Sequence, residues 1–207
     1  MQKYIKQRVV RGYDLNLIAV VGISTLVLVL RRYYSLDIDF PEATELVYYL
    51  AVPLVAGLLI FRDMPWDYGI RIGRWKLALV LTTGYLAVMA LILYLVGDLP
   101  EFRSYYHIDV IDWFNLLVEV ALFMFSWEFL FRGYMLFGLE KSIGRSAIFV
   151  QTIPFVLLHF GKPFLETLAC IPGGFIFGYI AYRTRSFLPS FIIHFGMYAM
   201  MIFFTNY

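Results

Sequence analysis

Residues 77–96 read LALVLTTGYLAVMALILYLV, twenty residues without one charged side chain. An α-helix rises about 1.5 Å per residue and the hydrocarbon core of a bilayer is about 30 Å thick, so about 20 apolar residues cross it. The rest of the chain is similar, since 61% of its 207 residues are hydrophobic and only 15% are charged. A water-soluble domain cannot cover so much apolar surface with polar groups. The stretch therefore predicts a membrane-spanning helix in a membrane protein.

Six further stretches approach the same length and, with residues 77–96, predict about seven transmembrane helices. The seven stretches are Leu15 to Leu30, Glu45 to Phe61, Leu77 to Val96, Trp113 to Leu139, Ser146 to Phe160, Leu168 to Tyr182 and Phe187 to Phe204. The first, fifth and sixth are short and need flanking residues to span the bilayer. No internal repeat or soluble segment interrupts the pattern. We expect one transmembrane domain over residues 1–207, an all-α polytopic bundle in the cell membrane with the lipid bilayer as its partner.

Charge and cysteine content exclude several other classes of protein. The formal net charge is +2 and the basic residues are scattered, which gives no electrostatic footprint for a nucleic-acid partner. The single cysteine, Cys170, has no second cysteine for an internal disulfide or a cysteine metal site.

The distribution of Lys and Arg predicts the orientation, because cytoplasmic loops carry the excess of basic residues. With seven spans and a cytoplasmic N-terminus, twelve of the seventeen basic residues lie on the cytoplasmic side: Lys3, Lys6, Arg8, Arg11, Arg62, Arg71, Arg74, Lys76, Lys141, Arg145, Arg183 and Arg185. Most of the acids then lie in outer loops: Asp37, Asp39, Glu42, Glu45, Asp98, Glu101, Asp109, Asp112 and Glu166. We therefore predict a cytoplasmic N-terminus.

Two ionisable residues, Glu128 and Arg132, fall inside the fourth predicted span. The sequence stays apolar from Gly133 to Leu139, so we expect the helix to continue past Arg132. Residues four apart share a helix face, where a carboxylate and a guanidinium can pair. An ionisable residue at bilayer depth costs several kcal/mol and is by default a functional-site hypothesis. The alternative is that the pair only neutralises itself and holds helices together.

His159 and His194 lie on two other predicted spans, at depths comparable with that of Glu128. A single intramembrane histidine is more often a link between helices than a catalyst. A carboxylate and two imidazoles that converge could instead activate water as a general base and stabilise an oxyanion. Glu128, His159 and His194 could also bind Zn²⁺ with one position open. We expect no cofactor, with zinc as the less favoured alternative.

At these residues the sequence resembles the CPBP family, the CAAX-protease and bacteriocin-processing (Abi) membrane endopeptidases. The resemblance covers residues 113–206, the expected CPBP-like catalytic core, and rests on three ordered motifs. The family's EExxxR motif is similar to WEFLFR at 127–132, its FxxxH motif to FVLLH at 155–159, and its HxxxN or HxxxD motif to HFGMY at 194–198. Each motif is weak alone, but their order and their intervals of about thirty residues make the combination more specific.

Two positions depart from the family pattern. Trp127 replaces the first Glu of the EE pair, which the resemblance implies is the water-activating carboxylate. Tyr198 replaces the Asn or Asp that is taken to help form the oxyanion hole. Residues 127 and 128 point about 100° apart, so Glu128 does not simply occupy the missing position. A Tyr hydroxyl is a competent donor to an oxyanion and can substitute for Asn.

The resemblance implies an intramembrane endopeptidase that hydrolyses a peptide bond of a membrane-associated or lipid-modified protein or peptide near the cytoplasmic side. In this hypothesis Glu128 works with His159 to activate water. His194 and Tyr198 stabilise the oxyanion, and Arg132 keeps Glu128 ionised and oriented. Prenylated CAAX tails, bacteriocin leaders and sorting-signal tails all fit the family, and the sequence does not indicate the substrate or the oligomeric state.

A second hypothesis, motivated by Trp127, is a catalytically inactive protein of the same fold that acts as a binding or scaffold partner. Fold does not fix function, so both hypotheses stay open at this point. A small transporter is the least favoured, because the first three spans offer almost no polar residues to line a path.

Overall fold

The computed structural model describes residues 9–10, 12–36 and 42–207. Within them, a short antiparallel hairpin, β1 (Val9–Val10) and β2 (Tyr13–Asp14), precedes the helical part of the chain. Eight helices follow: α1 (Leu15–Tyr33), α2 (Ala43–Phe61), α3 (Trp75–Gly97), α4 (Pro100–Tyr106), α5 (115–143), α6 (Ala147–Leu157), α7 (Phe164–Thr184) and α8 (Leu188–Asn206). Short 3₁₀ turns lie at Pro65–Tyr68 and Gly144–Ser146.

The helix ends follow from local side-chain chemistry. The Asp14 carboxylate accepts hydrogen bonds from the backbone N–H groups of Asn16 and Leu17, at 3.0 and 3.2 Å, and so caps α1. The first turn of a helix has no internal acceptors for its N–H groups, and an Asp side chain supplies one. Helix α8 carries a proline in its first turn, where the missing N–H costs nothing.

Five helices, α1, α2, α3, α7 and α8, are each long and apolar enough to cross a membrane. They coincide with the first, second, third, sixth and seventh predicted stretches. Helix α3 exposes apolar side chains such as Leu79, Val80 and Leu91, as expected for a surface that faces lipid. The prediction of an all-α polytopic bundle is confirmed, and the chain is a multi-pass membrane protein.

The fourth and fifth predicted stretches correspond to α5 and α6. Helix α5 continues past Arg132 as expected, with wider π-type turns at Asn115–Glu119 and Phe129–Met135. Helix α6 ends at Leu157, so the prediction that it reaches Phe160 is wrong. Gly161 then adopts a positive φ of 96°, and Pro163 disfavours helical geometry in the residue before it. His159 therefore lies in a turn rather than on a helix.

Helix α5 is the centre of the bundle. Its residues Phe129, Leu130, Phe131, Tyr134, Leu136 and Leu139 are completely buried. They belong to one apolar cluster that also includes residues of α1, α2, α6 and α7. A charged side chain on the inward side of α5 is therefore removed from both water and lipid.

At one end of the bundle the loop 62–74 packs on the end of α7. The backbone N–H of Arg74 donates to the Thr184 carbonyl at 2.8 Å, and Lys141 forms an ion pair with Asp63. We call residues 62–76, 140–146 and 183–187 the basic face.

The opposite end of the bundle, residues 98–112 and 160–166 with Asn206, is the acidic face. The Tyr106 hydroxyl donates to Glu166 at 2.6 Å, and the backbone N–H of Ile108 donates to the Asn206 side chain at 2.9 Å. The loops group into two faces as the sequence predicted. Which face is cytoplasmic stays a prediction, and part of its basis, Lys3, Lys6, Arg8, Arg11, Asp37 and Asp39, lies outside the described residues.

Candidate active site

The site begins on α5, where Glu128 and Arg132 are completely buried. Arg132 Nη1 donates to Glu128 Oε1 at 3.1 Å. The guanidinium carbon also lies 3.9 Å from the centre of the Phe155 ring, a favourable position for a cation over an aromatic face. The predicted pair therefore forms, and the positive charge next to Glu128 favours its ionised state.

His194, on α8, reaches the same carboxylate. Its Nδ1 lies 2.7 Å from Glu128 Oε1. Because an ionised carboxylate can only accept, the proton lies on Nδ1 and the Nε2 lone pair is left free. Glu128 thus fixes both the tautomer and the orientation of His194.

His159 is held differently, by the backbone of α6. Its Nδ1 lies 2.7 Å from the carbonyl oxygen of Phe155, so this ring also carries its proton on Nδ1. The His159 carbonyl accepts a hydrogen bond from the Thr167 hydroxyl at 2.9 Å, which fixes the turn against α7. The second imidazole is therefore as well oriented as the first, but its partner is neutral.

The two imidazoles lie face to face on a cavity. Their ring centres are 6.3 Å apart and their planes are inclined by 28°. Both rings line a partly open cavity of about 420 Å³ whose other walls are mainly apolar side chains of α3, α7 and α8. Both imidazoles are therefore available to the same space.

The sequence-based expectation paired Glu128 with His159, whereas the structure pairs it with His194. The reason lies in the direction of neighbouring side chains on α5. The Trp127 ring points towards His159, with ring centres 6.1 Å apart, and residue 128 points about 100° away from it. Glu128 does not line the cavity and lies behind His194.

Trp127 fills the space beside His159 with an aromatic cluster. Its ring packs against Tyr49, Phe123 and Phe131 at centre distances of 5.8, 5.5 and 5.2 Å. Its indole N–H is buried and has no hydrogen-bond partner among the described residues. The side of His159 that faces residue 127 is therefore lined by an aromatic ring rather than by an acid.

Tyr198, one turn after His194, also lines the cavity. Its ring packs edge to face with Tyr106 at 6.1 Å. All five predicted site residues thus converge on one region, three of them on the cavity and two behind it.

The cavity extends to the acidic face, where the sequence indicated no site. Tyr106, Lys162 and Glu166 line it there and form a connected group: Lys162 donates to Glu166 at 2.8 Å and to the Tyr106 hydroxyl at 3.1 Å. Burial and the adjacent Glu166 carboxylate raise the pKa of Tyr106, so its hydroxyl stays a donor. Lys162 and Glu166 are four residues apart, a recognisable spacing, but nothing in the sequence linked Tyr106 to them.

This path differs from the expectation of cleavage near the cytoplasmic side, because the acidic face is the outer face in the predicted orientation. Within the described residues, no group of three His, Cys, Asp or Glu side chains has the arrangement of a metal site. Glu128 Oε1, which the sequence allowed as a zinc ligand, already accepts from Arg132 and His194.

These features define a multi-pass membrane protein with a buried carboxylate–histidine pair and a second histidine at an internal cavity. Residues 109–200 match the family model described as Type II CAAX prenyl endopeptidase Rce1-like. The match confirms the resemblance to the CPBP proteases over this part of the chain and supports the fold of a CAAX-type intramembrane protease. The match contains all three motif segments. No curated protein and no solved structure matches the chain significantly.

Proposed function

We propose that the protein is an intramembrane endopeptidase in which His194, supported by Glu128, activates water. The observation that carries the proposal is the 2.7 Å contact between His194 Nδ1 and Glu128, which leaves Nε2 at the cavity. A buried carboxylate that holds one imidazole nitrogen orients the ring and stabilises the imidazolium when it forms.

In the proposed reaction a water molecule lies between the Nε2 atoms of His194 and His159. His194 removes one proton while the water oxygen bonds to the carbonyl carbon of the peptide, and His159 accepts a hydrogen bond from the other hydrogen. The Tyr198 hydroxyl donates to the developing oxyanion. The carbon–nitrogen bond then breaks, and His194 returns the proton to the leaving amine.

Arg132 and Glu128 act behind the cavity. Arg132 keeps the carboxylate ionised and in place, and Glu128 keeps the His194 proton on Nδ1 without itself taking a proton. This assignment replaces the sequence-based one, in which Glu128 worked with His159 and His194 belonged to the oxyanion hole.

The substrate proposed is a membrane-associated or lipid-modified protein or peptide that reaches the histidines through the apolar cavity from the acidic face. The family description names prenylated CAAX substrates, and the apolar walls of the cavity suit a lipid-bearing or helical apolar segment.

An inactive protein of the same fold is the alternative, and Trp127 is the observation that favours it. The missing acid beside His159 is replaced by a packed indole rather than by another polar group. In this reading the cavity binds a partner segment without cleaving it.

The test uses purified full-length protein in lipid nanodiscs with a panel of membrane-anchored and prenylated peptides in H₂¹⁸O. The proposal predicts cleavage with one ¹⁸O in the new carboxylate, and loss of cleavage in Glu128→Gln. Cleavage by Glu128→Gln at the wild-type rate would overturn the mechanism. Cleavage by Trp127→Glu but not by the natural chain would establish the inactive alternative.

A further inference from the structure

Four arginines meet where the loop of the basic face packs on the end of α7. Arg71 Nε donates to the Arg185 carbonyl at 2.8 Å, and Arg74 Nη1 lies 3.4 Å from the Arg183 carbonyl. A Cβ on Gly73 would lie 2.2 Å from the Thr184 carbonyl oxygen, so the two backbones are in direct contact. The four guanidinium groups therefore come from adjacent backbone positions.

The nearby carboxylates are already engaged. Glu140 holds Arg185 through both oxygens, at 2.7 and 2.8 Å. Asp63 binds Lys141, and Asp67 accepts from the backbone N–H of Met64 at 2.9 Å. Residues 62–76 and 140–146 contain no other acid.

Arg71, Arg74 and Arg183 are exposed and have no ion pair within the part of the chain that the structure describes. Lys76 and Arg145 extend the positive surface, and each lies near an aromatic ring rather than a carboxylate. Like charges held this close repel one another, and a bound anion relieves the repulsion.

The exposed apolar side chains of the same loop indicate the source of the anion. It exposes Trp66, Ile72 and Trp75 by 50, 72 and 57%, next to its exposed arginines. Tryptophans with basic neighbours lie at the level of lipid headgroups. At this level the abundant anion is the phosphate of a lipid rather than a soluble ion.

The acidic face provides the contrast within one molecule. There, Asp98, Glu101, Asp109, Asp112 and Glu166 outnumber Arg103 and Lys162. Of the two faces, as far as the structure describes them, the basic one is therefore the one that attracts anionic lipid.

We propose that Arg71, Arg74 and Arg183, with Lys76 and Arg145 beside them, bind the headgroup phosphate of an anionic phospholipid. The bound lipid ties the loop 62–76 to the end of α7. This inference concerns the basic face and does not depend on the proposed protease activity.

The test measures lipid retained by the protein after purification from nanodiscs of phosphatidylcholine with phosphatidylglycerol, by native mass spectrometry. The wild type is expected to retain phosphatidylglycerol in preference to phosphatidylcholine. The triple variant Arg71→Gln, Arg74→Gln, Arg183→Gln is expected to lose that preference by roughly tenfold to a hundredfold, since each basic residue near the surface contributes to the attraction.

The matched control, Arg32→Gln with Arg103→Gln, removes two exposed charges elsewhere and is expected to keep the preference. A second variant, Lys76→Gln with Arg145→Gln, removes charge without removing the loop's bonds to backbone carbonyls and is expected to lose part of it. Equal retention of the two lipids by the wild type, or full preference in both basic-face variants, would overturn the proposal. So would complete displacement of the lipid by inorganic phosphate, which would indicate a site for the free ion.

Discussion

The two histidines of the cavity are alike in orientation and different in partner. Each is held through Nδ1 at 2.7 Å, His194 by the Glu128 carboxylate and His159 by the Phe155 carbonyl. A carboxylate interacts with an imidazolium through a full charge and a carbonyl only through a dipole, so the two histidines differ in how well they can hold a proton during a reaction. We therefore propose that His194 transfers the proton and that His159 positions the water.

The difference arises on α5, where consecutive residues serve the two histidines. Glu128 faces His194 and Trp127 faces His159, at a ring distance of 6.1 Å. Of the two positions, this chain carries an acid only at residue 128, where it bonds directly to a histidine. His159 therefore has an indole beside it where His194 has a carboxylate.

Glu128→Gln changes the carboxylate that holds His194 and has the largest expected effect. The amide is nearly isosteric but carries no charge, so it neither stabilises the His194 imidazolium nor imposes the correct tautomer. We expect the rate of peptide cleavage to fall by about 10³-fold or more. The control is Glu119→Gln, the same chemical change nine residues earlier on α5, which is expected to leave the rate unchanged. Equal losses in the two variants would show that the defect is not local to the pair.

Arg132→Met tests whether the pair must be neutral. Removing the guanidinium leaves Glu128 charged in a completely buried position, and we expect a loss of about 3 to 5 kcal/mol in the free energy of unfolding. Denaturant unfolding in detergent measures it, with the exposed Arg103→Met as control. The double variant Glu128→Gln, Arg132→Met is expected to recover at least about half of the loss. No recovery would mean that the effect comes from packing alone.

Tyr198→Phe removes the hydroxyl assigned to the oxyanion and leaves both histidines in place. We expect kcat to fall by about 10²-fold with little change in KM, because the bond strengthens only in the transition state. Tyr85→Phe removes another hydroxyl from the cavity wall and serves as the control. If kcat is unchanged and kcat/KM falls only because KM rises, Tyr198 contributes to substrate binding instead.

Trp127→Phe changes the ring beside His159 and has the smallest expected effect. Phenylalanine keeps an aromatic ring beside His159 and removes an indole N–H that has no partner among the described residues. We expect the cleavage rate to change by less than about threefold, at a stability cost of about 1 kcal/mol for the lost volume. A large fall in rate would show that the indole itself takes part in the reaction.

The bundle and the location of the site could be predicted from the sequence, because both follow from strong constraints. Twenty uncharged residues at 77–96 have few alternatives to a membrane span, and buried ionisable residues such as Glu128 and Arg132 are too costly to be incidental. The pairing within the site could not be predicted. It depends on helix rotation and on the end of α6 at Leu157, which moved His159 into a turn.

The polar group at the acidic end of the cavity also could not be predicted from the sequence. Tyr106 meets Lys162 and Glu166 only because α4 packs over the start of α7, a contact between residues about sixty positions apart. A tyrosine in an apolar chain with 16 of them carries no signal of its own. Tertiary contacts of this kind have no local pattern.

The most direct test of the roles of the two histidines compares His194→Gln with His159→Gln on the same peptide in the same nanodiscs. Glutamine retains a polar side chain of similar reach in both positions but cannot accept and return the proton. If His194 is the base, His194→Gln lowers the cleavage rate by about 10³-fold or more and His159→Gln by about 10- to 100-fold. If His159→Gln costs as much as or more than His194→Gln, the carboxylate-bound histidine is not the base.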